Sequence, residues 1–115
     1  MIDIRICKST VCLRVQVEVK GHAETAPRGE DLVCAAVSAL IGGYAKEITD
    51  MEDKHFRERL VSVGESDGNA MIDVYCKDER SFKRVLYNLA PIIQGREIVA
   101  KDHPEALRVS HLNED

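Results

Sequence analysis

The sequence is short of the features that most quickly place a protein. Its four cysteines, at positions 7, 12, 34 and 76, include no pair separated by two residues, so neither a zinc knuckle nor a dithiol redox motif is written in it. Four is also few for a disulfide scaffold, which makes reduced thiols and a cytoplasmic protein the expectation. Positive charge is not in excess: sixteen Lys and Arg against twenty Asp and Glu leave a net charge of −4. Such a balance offers no general attraction to nucleic acid or to anionic lipid, and a basic polypeptide is the electrostatically welcome partner. Charge interrupts the apolar stretches too often to suggest a membrane span. The segment from Met1 to Lys8 has neither the basic start nor the unbroken apolar core of a signal peptide. What remains is 115 residues, 44% of them hydrophobic, which suits one compact domain over 1–115 and rules out disorder.

Two periodicities organise the chain. Ile2, Ile4 and Ile6 alternate with Asp3, Arg5 and Cys7, and Leu13, Val15, Val17 and Val19 alternate with Arg14, Gln16, Glu18 and Lys20. Period two on both sides of Lys8-Ser9-Thr10 predicts a hairpin with one solvated face, ended by Gly21. From Asp31 the period becomes helical, through Val33, Ala36, Val37, Leu40, Ile41, Tyr44 and Ile48. Segments around 57–64 and 70–76, rich in β-formers and joined by Glu65-Ser66-Asp67-Gly68-Asn69, predict a second hairpin. A second helical stripe follows through Phe82, Val85, Leu86, Leu89, Ile92 and Ile93. Pro91 should kink it, and helix should resume to about Lys101. Leu107, Val109 and His111 leave room for a closing strand before a polar tail. The order β-β-α-β-β-α-β predicts an α+β domain, two helices packed on a mostly antiparallel sheet.

The chemistry-bearing stretch is GHAETAPRGEDLVCAAVSAL, residues 21–40, which joins a strand to a helix through mostly polar residues. With Asp31 as N-cap, Cys34 falls in the first helical turn, near the positive end of the macrodipole. That position favours a thiolate over a thiol. On the helical wheel Cys34 borders the buried stripe, and Ser38, one turn on, is more exposed. A cysteine there is also an ordinary small packing residue. Nor does spacing bring His22 to it, since twelve residues can span about 40 Å when extended. Only a chain reversal between Gly21 and Gly29 would bring them together.

Gly21-His22-Ala23, Gly29, Asp31-Leu32-Val33-Cys34-Ala35-Ala36 and Ser38-Ala39 resemble the signature of the ribosomal-processing cysteine protease family, Prp. Layout and length are similar over almost the whole chain. The resemblance implies Cys34 as nucleophile and His22 as general base, forming and then hydrolysing an acyl-enzyme. Asp31 then either caps the helix or orients His22, and its offset from Cys34 favours the cap. Gly21, Gly29 and Ser38 are supporting positions. The implied substrate is the N-terminal extension of a bacterial large-subunit ribosomal protein, number twenty-seven, with no cofactor and no metal. A homodimer is implied as well, and a small domain with an apolar helix face has surface to hide. The segment from Glu24 to Glu30, with Pro27 and Gly29 and only Ala26 as an apolar anchor, suits a flap that orders on substrate.

Other readings are weaker. A zinc site using His22, Cys34 and another thiol lacks four ligands at local spacing. A noncatalytic module that binds a ribosomal protein is the rival from another class. Cys7, Cys12 and Cys76 are expected in strands as packing or surface thiols. His55, His103 and His111 read as solvated, as does the mixed-charge run from Asp50 through Arg59.

Overall fold

The structure, a computed structural model, describes residues 1–21, 32–64 and 69–115. Period-two alternation yields five strands: β1 (Ile2–Ser9), β2 (Arg14–Lys20), β3 (Phe56–Val63), β4 (Ala70–Cys76) and β5 (Leu107–Asn113). The helical stripes yield α1 (Leu32–Asp50), α2 (Glu79–Tyr87) and α3 (Ala90–Asp102). The strands form one sheet in the order β3-β4-β2-β1-β5. Every neighbouring pair is antiparallel except β1 and β5, which run parallel. The expected α+β architecture and element order are therefore found, with the second helix divided in two.

Alternation decides which face of the sheet is covered. Ile2, Ile4 and Ile6 of β1, Val15, Val17 and Val19 of β2, and Ile72, Val74 and Cys76 of β4 are all buried. Against them pack Val33, Val37, Ile41, Tyr44 and Ile48 of α1, with Phe82, Val85, Leu89 and Ile92 from α2, α3 and their junction. Each large side chain so buried contributes about 1.5–3 kcal/mol. The opposite face carries polar pairs such as Arg14 with Asp73 and Arg108 with Asp3, both at 2.8 Å. Within the α1 stripe, Ala36 is exposed and Ala45 is buried in its place, because the buried line follows Ile41 to Ala45 and Ile48.

The second helical stripe breaks before its proline. The Leu89 amide closes a tight turn on Leu86 O at 3.1 Å, and α3 restarts at Ala90. Pro91 thus occupies the first turn of α3, where a missing N–H leaves no intrahelical bond unmade. Leu89 and Ile92 keep facing the core across the break. Gly95 of α3 lies on Leu40 of α1, where any Cβ would collide with the Leu40 Cδ1 methyl. Sequence reading gave Gly95 no role.

Three other expectations are corrected. The first hairpin turns over residues 10–13 and not at 8–10, because Ser9 stays in β1, paired with Arg14 and buried on the polar face under Asp115. The Ser9 hydroxyl donates to Asp115 at 2.8 Å and accepts from the Cys12 amide at 3.0 Å. Asp115 also accepts from the amides of Thr10, at 2.9 Å, and Val11, at 3.1 Å, so the polar tail is a clasp on this turn. Cys12 and Leu13 accordingly belong to the turn, Leu13 with φ of +55°. Within the mixed-charge run, Arg59 is not solvated. It caps the C-terminus of α1, donating to the carbonyls of Ile48 at 2.9 Å and Met51 at 2.7 Å, and stacks over Phe56.

Candidate active site

Topology gives the domain two poles. Strands β2 and β3 end, and β1, β4 and β5 begin, at the pole where α1 starts, while α1 ends beside the start of β3. With a rise of about 1.5 Å per residue, α1 separates the poles by about 28 Å. Cys34 is the third residue of α1 and stands at the first pole.

Its neighbours in sequence fix how much of it faces outward. Val33 is buried against the core and Leu32 is 81% exposed, so Cys34, between these two directions, is half-buried and packed on the core's rim. Its thiol is not in a disulfide. This is the border position that the helical wheel predicts. Ser38, one turn further along, is exposed, also as expected. The remaining thiols differ: Cys7 and Cys76 are buried and Cys12 is exposed in the turn. Burial pushes the Cys76 thiol up to about 11, with the Asp78 carboxylate adding to the effect.

Gly21 explains how the chain leaves the sheet at this pole. Its φ is +93°, and a Cβ there would collide with the carbonyl oxygen of Met1 at the start of the neighbouring strand. Only glycine meets both conditions. The residues that follow, His22, Gly29 and Asp31, lie outside the described residues, as does the expected flap from Glu24 to Glu30. The linker residues 65–68 of the second hairpin do too, while Gly64 N donates to Asn69 O at 2.8 Å on either side of them.

A second constellation, which sequence reading missed, sits at the opposite pole. Far from being solvated, His55 is half-buried with Nδ1 2.8 Å from Ser81 Oγ. Asp78 caps α2 by accepting from Ser81 N at 2.7 Å, and these hydrogen bonds from Ser81 backbone and hydroxyl hold its carboxyl below the usual carboxylate range. Serine, histidine and aspartate thus meet, but Ser81 is 3% exposed, so its hydroxyl is a structural link and not an accessible nucleophile. The pattern D-x-x-S at a helix start was the legible half of this signal. The contact with His55, twenty-six residues away, was not.

Among the described residues of the 21–40 stretch, Cys34 thus presents a half-buried thiol at the start of a core-packed helix. The family model described as cysteine protease Prp matches residues 1–106, which makes the class that of cysteine peptidases. Among curated proteins, the ribosomal processing cysteine protease Prp of Bacillus subtilis (strain 168) is 28% identical over 94 residues, 81% of each chain. The essential ribosomal processing protease Prp of S. aureus, crystallised with a covalently linked product peptide, shares the fold with a TM-score of 0.73. The match has 20% identity and covers 96% of this chain and 99% of that one. SMU.848 from Streptococcus mutans shares it at 0.67 and 23% identity, covering 99% and 96%. The chain belongs to the cysteine protease Prp family.

Proposed function

We propose that this protein is a cysteine endopeptidase that removes the N-terminal extension of the bacterial large-subunit ribosomal protein numbered twenty-seven, in support of ribosome assembly. The observation that carries the reading is the half-buried Cys34 thiol in the first turn of α1, in a chain of this family. Cys34 Sγ attacks the scissile carbonyl, His22 takes the thiol proton and returns it to the leaving amine, and water then cleaves the thioester. The positive end of the α1 macrodipole is suited to stabilise the oxyanion. Asp31 serves as N-cap, and Ser38, Gly21 and Gly29 support the site. The B. subtilis relative's name and the covalent product peptide on the S. aureus protein support both the reaction and the substrate class.

The reading includes a cytoplasmic homodimer. Supporting the dimer, α1 is long and apolar enough for a membrane span by length and composition, although one face of the helix is core. Its outer face leaves Leu32, Ala35, Ala36 and Ala39 exposed, as a helix that meets a second copy would.

Incubation with the ribosomal-protein precursor, read by product mass, tests the function. Expected are one cut in the precursor's extension, no product with Cys34→Ala, and a large loss with His22→Ala. Binding without cleavage by the unaltered protein would instead establish the noncatalytic assembly factor.

A further inference from the structure

At the pole opposite Cys34, a cavity of about 510 Å³ is lined by Lys54, His55, Asp78, Arg80, Ser81 and Arg84. Ligand pockets usually measure about 300–1,000 Å³. Arg80 and Arg84 are one turn apart on α2 and share a face, with Lys54 contributed by the turn before β3. Three side chains in this lining are permanent cations and one, Asp78, is an anion, which leaves two net positive charges even with His55 neutral.

The protein neutralises this charge only in part. Arg80 makes no ion pair among the described residues, although its charge helps to lower the Asp78 carboxyl. Lys54 reaches Glu52 only at 3.9 Å and Arg84 reaches Glu47 only at 3.6 Å, whereas Arg14 and Arg108 close on their carboxylates at 2.8 Å. Asp78 is turned to the Ser81 amide, so the end of α2 is already capped and the attraction comes from the side chains. Ser81 in turn holds His55, with its hydroxyl oxygen 2.8 Å from Nδ1. In a chain with net charge −4 the lining itself holds more cations than anions, and the two carboxylates nearest to it, Glu52 and Glu47, pair only loosely.

We propose that this cavity binds a phosphate dianion, free or at the end of a phosphomonoester, between Lys54, Arg80 and Arg84. A dianion would draw Lys54 and Arg84 from their loose carboxylate partners, and the planar guanidinium groups can each offer paired N–H donors to its oxygens.

Titration of the isotopically labelled full chain, followed by amide NMR at constant ionic strength, tests this. One arm uses inorganic phosphate, a second adenosine 5′-monophosphate, and a third chloride. Expected are saturable shifts at Lys54, His55, Arg80 and Ser81 with Cys34 unmoved. Affinity should fall about tenfold in R80Q/R84Q and, separately, in K54Q, with heat unfolding unchanged. Saturation in both phosphate arms shows that the dianion suffices, and saturation by the monophosphate alone shows that the organic part is needed; either upholds the site. Shifts no larger than those with chloride, or saturation that persists in both variants, overturn it.

Discussion

The α-carbon of Gly21 faces the carbonyl oxygen of Met1 so closely that no side chain fits between them. Because φ there is +93°, alanine at 21 would meet backbone on one side and an unfavourable dihedral on the other. Gly21→Ala should lower unfolding free energy by about 2 kcal/mol or more, measured in urea. It should also reduce peptidase activity in the fraction that still folds, since His22 follows directly.

The four thiols provide a direct contrast between reactivity and access. Cys12 is exposed, Cys34 half-buried, and Cys7 and Cys76 buried. Ordinary chemistry would have iodoacetamide label Cys12 first. An activated nucleophile instead predicts that Cys34 outpaces Cys12 below pH 7, and that His22→Ala removes this advantage. Peptide mass mapping of a short labelling reaction reads the order.

Asp31→Asn separates capping from orientation of His22. Asparagine caps a helix about as well as aspartate, so stability should hold within about 0.5 kcal/mol and activity should persist. A large loss of kcat with the fold intact would assign Asp31 to the histidine instead.

Hydrogen bonds from the Thr10 and Ser9 hydroxyls, with amide donors from the same turn, hold the Asp115 carboxyl well below the usual carboxylate range. A carboxylate lowered in the folded state stabilises above its unfolded value near 3.9 and loses that contribution as pH falls through its folded one. Asp115→Ala should therefore reduce the melting temperature at pH 7, and the gap between variant and parent should narrow as pH drops below 4.

Tyr44 is 4% exposed, and its hydroxyl donates to Val85 O at 3.2 Å, tying α1 to α2. Tyr44→Phe leaves that carbonyl buried without its donor, at a cost of about 1–2 kcal/mol in chemical denaturation.

How far the sequence was legible follows the range of the interactions. Period-two valines at 15, 17 and 19 and the helical stripe from Val33 to Ile48 declare themselves within sixteen residues or fewer, so strands, helix and the border position of Cys34 could be read. Contacts across the chain could not. Ser9 looked like a turn residue because its partner Asp115 stands 106 positions away, and Arg59 looked solvated because the carbonyls it caps belong to another element. His55 was misread for the same reason. Pro91 shows the intermediate case: its effect was legible, but whether the helix bends or restarts depends on how Leu89 and Ile92 both reach the core.

The side-by-side placement of β1 and β5 carries a consequence for biosynthesis. Ile2 pairs with Leu107 and Lys8 with Asn113, so β1, made before the other described strands, must wait for β5, made after them, before its outer edge is covered. Until then that edge is an open template for strands of other chains. Versions of the protein truncated before Leu107 should accordingly clump during translation, however sound the rest of their sequence.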